Sequence, residues 1–200
     1  ISDMITPAFF NPLYTTTITE IEKNNKCELL GDLADFKNGD EVGSINYKGY
    51  LERKESDVPF IRTSDLVNYD FDIYPDFYVE NSIYRDINQE IGSNEILFTK
   101  DGKIGISAMT TEFDKCILGS GVLRIIPKKD KISPFYLFIA LSLKEIGLYQ
   151  AKQRTVVAST IPHLREDRIG DFKIPILKNQ KKIIELTEKA FELKDKRKKL

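Results

Sequence analysis

The chain has 200 residues, 41% hydrophobic and 30% charged, which is enough apolar mass to bury a core and excludes wholesale disorder. No run of about 18 apolar residues occurs, which excludes a transmembrane helix, and no secretory signal opens the chain. Formal net charge is −1 but uneven: residues 1–149 are net −8, 150–177 net +2 and 178–200 net +5, so the positive field is local to the C-terminal quarter. The cysteines, Cys27 and Cys116, are too far apart and too few for a disulfide framework, so a reducing cytoplasm is expected. With one histidine, they also argue against a zinc site. Ile1 in place of an initiator methionine predicts a piece of a longer protein.

Residues 1–26 read as an irregular arm: Pro7, Pro12, the aromatics Phe9, Phe10 and Tyr14, then a short polar helix from Glu20 to Lys26. Gly31 to Phe36 reads as one turn of helix before an Asn38-Gly39-Asp40 loop. Val58 to Thr63 is a strand, with Pro59 at its start or on an edge. Ser64-Asp65 caps a brief turn, Ile73 to Val79 is extended, and Ser82 to Ile87 is a short helix. Ile96 to Lys100 and the alternating Ile104, Ile106 and Ala108 predict a hairpin across a two-residue Asp101-Gly102 turn. Cys116 to Leu118 and Val122 to Ile126 continue as strands around Gly119 and Gly121. Ser133-Pro134 opens a buried helix running to about Tyr149. Val156 to Ala158 is extended, Leu164 to Ile169 a helical turn, and Phe172 to Ile176 a last strand.

The final helix, Asn179 to Leu200, differs in kind. Ile183, Leu186, Ala190, Leu193, the stem of Arg197 and Leu200 recur in alternating steps of three and four, a heptad seam. A rod of about 33 Å with so narrow a seam needs a partner helix.

Catalytic motifs are missing. The sequence holds no GxxxxGK[ST], GxGxxG or GxSxG pattern. Asn11-Pro12-Leu13-Tyr14 is similar to the Asn-Pro-Pro-Tyr loop of adenine methyltransferases, but lacks the second proline and any glycine-rich loop for S-adenosylmethionine. Pro75-Asp76 starts like a nuclease carboxylate motif, but no Glu-x-Lys follows. His163 has no evident nucleophile near it in sequence. The expectation is a chain without covalent chemistry and without a bound cofactor.

Several segments, in order, resemble the target-recognition domain of type I restriction–modification specificity subunits. They are Leu30-Gly31-Asp32-Leu33, Phe60 to Leu66, Ile96 to Gly105, Ile161-Pro162-His163-Leu164, Ile169 to Leu177, Gln180 and Ile183. Phe9 to Tyr14 resembles the linker before such a domain when it is fused behind a methyltransferase. The resemblance implies an α+β fold: a mixed globule with β-hairpins and a buried helix, followed by a long coiled-coil helix. It divides the chain into a linker at 1–26, a DNA target-recognition domain at 27–177 and a spacer or dimerisation helix at 178–200. It implies double-stranded DNA and adenine-N6 methyltransferase subunits as partners. A nuclease subunit and a homodimer through the helix are further options. S-adenosylmethionine would be bound only by the methyltransferase.

Base reading needs Arg, Lys, Asn, Gln, Ser or Thr on loops, and phosphate holding needs Lys and Arg. The candidates are Arg62 and Thr63, Lys100 and Lys103 beside the hairpin turn, and Lys152, Gln153, Arg154, Thr155, Ser159 and Thr160 after the buried helix. Arg62 could instead pair with Asp65, and the Tyr47–Tyr50 and Asn68–Phe77 segments are equally placed to be reading loops. The competing function is a protein-interaction adaptor that oligomerises through its last helix and binds no DNA.

Overall fold

A computed structural model describes residues 11–67, 69–71, 74–112, 115–155 and 162–198. The elements are, in order, α1 (Pro12–Asn24), β1 (Cys27–Leu29), α2 (Leu30–Leu33), β2 (Ala34–Asn38), β3 (Lys48–Gly49), β4 (Val58–Ile61), β5 (Leu66–Val67), β6 (Asp70–Phe71), β7 (Phe77–Val79) and α3 (Asn81–Ile87). There follow β8 (Ile96–Thr99), β9 (Ser107–Met109), β10 (Ile117–Leu118), β11 (Val122–Pro127), α4 (Pro134–Ser142), α5 (Tyr149–Arg154), α6 (Glu166–Ile169), β12 (Lys173–Pro175) and α7 (Gln180–Lys198). The fold is α+β.

A body and a lobe divide the globule. The body is built on an antiparallel sheet ordered β2-β11-β8-β9. All four residues of β8 are buried, as are Val122 to Ile125 of β11, because this sheet is covered rather than half-wet. Its core gathers Leu30, Phe98, Leu123, Leu137 and Phe172, with α4 packed on it. The lobe is a second sheet ordered β10-β4-β7-β3, in which β10 runs parallel to β4. Pro59 is tolerated there because β10 pairs only with Phe60 and Ile61, beyond it. Val42, Val58, Phe60, Val79 and Ile117 form the lobe's small core.

A buried polar network joins the two. Arg124 is 2% exposed and grips Glu95 with two hydrogen bonds, Nε to Oε2 at 2.7 Å and Nη2 to Oε1 at 3.0 Å. Its remaining nitrogen donates to the Gln89 carbonyl at 2.6 Å. Gln89 in turn donates to Asp40 at 2.8 Å and exchanges hydrogen bonds with the Leu118 backbone. An arginine so deep is tolerated only because its donors are met.

Several elements differ from the sequence expectation. The helical turn read at Gly31 to Phe36 ends at Leu33, and Ala34 to Phe36 belong to β2, paired with β11. The first helix begins at Pro12, not Glu20: Asn11 accepts the Leu13 N–H at 3.0 Å and proline occupies the first helical turn. Asn11-Pro12 is thus a helix start. The buried helix does not run to Tyr149; it stops at Ser142, with Leu143 extended. A π-turn, Lys144–Leu148, then leads into α5. A Cβ on Gly147 would lie 1.9 Å from the Leu141 carbonyl oxygen, so the absence of a side chain permits this reversal. The hairpin between β8 and β9 is real, but its loop is Lys100–Gly105 and not two residues. The extended piece at 156–158 lies outside the described residues, as do Pro7, Phe9, Phe10, Asn68 and Ile73.

The last helix is seated on the body rather than standing apart as a rod. Ile183, Ile184 and Phe191 of α7 pack against the core, and Phe191 meets Phe138 edge-on at 5.3 Å. Lys194 donates to the Met109 carbonyl at 3.1 Å and pairs with Asp70 at 2.8 Å. The heptad seam is a neighbouring stripe. Ile183 joins the core, whereas Leu186 (61%), Ala190, Leu193 (59%) and Arg197 are exposed. Arg197 also lies 3.7 Å from Asp70, and Leu200 is outside the described residues. Two faces on one helix explain the doubled 3-4 periodicity.

Candidate nucleic-acid interface

The hairpin loop is the centre of the site. Gly102 (φ 62°) and Gly105 (φ 86°) take left-handed conformations that favour glycine. Thr99 ties the loop from below, donating to the Lys103 carbonyl at 2.5 Å and accepting from the Ile106 N–H at 2.9 Å. Gly105 sits against Leu148, where a Cβ would come within 2.7 Å of the leucine side chain.

The loop is drawn open because it pairs with the segment at 162–164. Gly102 N–H donates to Pro162 at 3.1 Å, Leu164 N–H donates to Lys100 at 2.8 Å, and His163 Nδ1 bonds to the Asp101 carboxylate. These contacts satisfy backbone groups that a two-residue turn would have used locally. They hold the hairpin turn against Pro162, His163 and Leu164. Ser159 and Thr160 themselves lie outside the described residues.

Arg62 and Thr63 stand beside this loop. Gly121 lies between them and it: a Cβ there would be 2.9 Å from the Thr63 methyl and 3.4 Å from Asp101 Cβ. A recess of about 210 Å³ opens here, lined by Glu41, Tyr47, Arg62, Thr63, Asp101 and Ser120, among others. Ser120 donates its hydroxyl to the Glu41 carboxylate. Arg62 does not pair with Asp65; that carboxylate accepts the Arg62 backbone N–H at 2.8 Å and closes the turn Thr63–Asp65. The guanidinium instead lies over the Phe77 ring, 4.2 Å from its centroid, with Nη2 3.2 Å from Asp76. Tyr47 senses both walls of the recess. Burial raises its phenol pKa, Glu41 raises it further, and Arg62 pulls it the other way.

The other candidates fall into distinct positions. Lys100 is buried, 7% exposed, with its ammonium 3.8 Å from Glu166, and does not project from the turn. Lys103 is exposed. Gln153 donates to Thr15 of α1 at 3.3 Å, and Thr155 donates to the Ala151 carbonyl at 2.8 Å. Arg154 donates to the carbonyls of Gln150 and Asp171, each at 3.3 Å, and stacks on Phe172. Burial holds its pKa below the ordinary arginine value. Of these α5-end residues only Lys152 is exposed; it follows Leu148 by one turn, on the face against which the hairpin loop packs.

Sequence reasoning missed Glu41 and Ser120, which no local motif marks. They meet because the exit of β2 and the β10–β11 turn come together at the Asp40–Gly119 bridge. It also missed Arg53 at the tip of the lobe, whose guanidinium lies 4.7 Å from the Tyr50 ring centroid and 5.0 Å from that of Tyr78. Ile45 (93%) and Leu51 (95%), in the loops before and after Tyr47, are exposed. The arginine close behind Tyr47 and Tyr50 was the available signal. Among the described residues no group of three or more His, Cys, Asp or Glu side chains is placed to hold a metal, and no helix is long and apolar enough to cross a membrane.

Donor-bearing loops thus stand at one end of a two-part α+β globule, and a long helix is packed on its body. The family model of the type I restriction modification DNA specificity domain matches residues 22–199, and the chain belongs to this family, a DNA sequence-recognition module. No curated protein sequence matches the chain. Solved structures share the fold. The S subunit of a type I restriction–modification system from M. genitalium superposes with a TM-score of 0.59 at 11% identity, over 86% of this chain and 39% of its own. The HsdS subunit from Thermoanaerobacter tengcongensis gives 0.55 at 15% identity, over 90% and 43%. The type IIG restriction endonuclease BpuSI gives 0.59 at 15% identity, over 90% and 28%. The chain therefore spans less than half the length of each of these relatives.

Proposed function

We propose that this chain is a non-catalytic specificity module that directs a partner adenine-N6 methyltransferase to a short DNA sequence, with S-adenosylmethionine bound by the partner alone. One observation carries the reading: the family match runs through globule and final helix together, residues 22–199. The globule supplies the reading loops: Arg62 and Thr63 share a recess with Asp101 of the hairpin loop, and Lys103 of that loop and Lys152 of α5 are exposed donors. The exposed stripe of Leu186, Ala190 and Leu193 faces a second helix, from another copy or another specificity unit, which fixes the spacing of two half-sites. A nuclease subunit joins the same assembly when cleavage is the outcome.

The test is equilibrium binding of the purified chain to duplex DNA across a salt series. The expected result is a linear fall of log K with log salt, with a slope of about −0.9 for each phosphate neutralised. Binding that is absent at about 0.15 M salt, and that methyltransferase addition does not restore, would leave only the adaptor reading.

A further inference from the structure

The recess beside the hairpin loop carries more than a generic affinity for DNA. Arg62 is held by two restraints, a stack on Phe77 and one ion pair to the exposed Asp76. These fix the plane of the guanidinium, and no other hydrogen bond or ion pair of the guanidinium is formed among the described residues. A guanidinium presents two forks that share Nη2; Arg62 Nε is buried, so the end-on fork, Nη1 with the second N–H of Nη2, is the one left to meet a ligand. Across the same recess stands Glu41, whose carboxylate is oriented by the Ser120 hydroxyl and keeps acceptor capacity.

The charge pattern decides what such a site can take. A phosphate needs cations, yet Asp76 pairs with Arg62 and the recess it opens on is lined by Glu41 and Asp101. Three carboxylates beside one arginine repel a phosphate. The edge of a base pair, by contrast, needs donors and acceptors side by side. In the major groove guanine offers two acceptors, O6 and N7, and its cytosine offers one donor, N4.

We propose that Arg62 and Glu41 read the major-groove edge of one G·C base pair, the guanidinium donating to guanine O6 and N7 and the carboxylate accepting from cytosine N4. Asp76 and Phe77 are positioning residues for the arginine. This rests on the DNA-reading function proposed above and adds to it a required base pair and the residues that select it.

The test is selection from a randomised duplex library by the full chain and by Arg62→Lys and Glu41→Ala. The wild-type chain enriches a site with at least one invariant G·C pair. Arg62→Lys keeps the charge but loses the fork, so discrimination at that pair falls by about 5- to 150-fold, the range for one bidentate contact, while the other positions keep their preference. Glu41→Ala relaxes the same pair. Glu41 is exposed, so this variant serves even where Arg62→Lys disturbs folding. Three outcomes overturn the proposal: an enriched site without an invariant G·C pair, an Arg62→Lys variant weakened equally on all duplexes, or variants with unchanged preference. A wild-type chain that enriches nothing, with or without methyltransferase, overturns the DNA-reading function itself.

Discussion

Body and lobe solve the same problem with different means. The body closes over a large apolar cluster in which Leu30, Phe98, Leu123 and Phe172 are fully buried. The lobe has strands of two to four residues and a core of a few side chains. Its shape depends more on polar contacts. Lys48 of β3 lies 3.3 Å from Asp57 and 2.7 Å from Glu80, and Arg53 packs on the rings of Tyr50 and Tyr78, which meet each other edge-on. A body held by burial tolerates little change, because interiors are close-packed. A lobe held by short strands and surface pairs tolerates more change in its loops.

The largest expected break in this comparison is at the joint. Arg124→Ala leaves Glu95 and the Gln89 carbonyl buried without their partner, at a cost of about 3–5 kcal/mol. Chemical denaturation reads it, and a loss below about 1 kcal/mol would show that the network is not what fastens lobe to body. Next comes Gly39→Ala. A Cβ there would lie 2.1 Å from the Gly119 carbonyl oxygen, backbone against backbone. The expected cost is at the upper end of the ~1–3 kcal/mol of overpacked sites, and thermal melting measures it.

Acid should then separate the two regions. Burial raises the Asp57 pKa, but the Lys54 N–H and the Lys48 ammonium outweigh it, so the carboxyl titrates below its ordinary value. Lys48 lowers Glu80 likewise. Folded values below unfolded ones mean that this stabilisation is complete above the ordinary carboxylate range. It is lost as pH falls through the folded values, below about pH 4. Lys48 is raised, chiefly by Glu80, so its share is lost only at strongly alkaline pH. Amide cross-peaks of β3 and β7 should collapse on acidification before those of β8 and β11; the reverse order would contradict the division. The smallest effect is on stability of the helix seam. Leu186→Lys with Leu193→Lys changes exposed positions and should shift stability by no more than about 0.5 kcal/mol per site. Where the stripe pairs with a second copy, as one arm of the proposal has it, the same two substitutions should abolish that pairing in sedimentation.

Much of the fold was legible because it is written in local chemistry. The strands at 58–61, 96–99, 117–118 and 122–127 follow from runs of β-branched and aromatic residues. The heptad seam was legible too, although its neighbouring face proved to be seated on α4. The start of α1 was readable in Asn11-Pro12, a capping pair, but the aromatic cluster around it suggested an irregular arm. The candidate site was only half legible. Arg62 and Thr63 stand at a recess, whereas Lys100 and Arg154 have donors engaged by Glu166 and by backbone carbonyls.

The sequence by itself determined the class, the family, most strands and the existence of a long helix with an apolar seam. These depend on periodicity, on turn chemistry and on motifs in a fixed order, all of which survive without knowledge of contacts. Tertiary structure alone decided that the buried helix breaks at Leu143 and that the hairpin loop opens to pair with Pro162 and His163. It also decided that Glu41 faces Arg62 across a recess, and which arginine is a partly exposed fork and which a buried clamp. The break at Leu143 rests on a close local approach, Gly147 against the Leu141 carbonyl. The others depend on partners brought from far away in sequence, and a charged side chain's role is set by what lies opposite it in space.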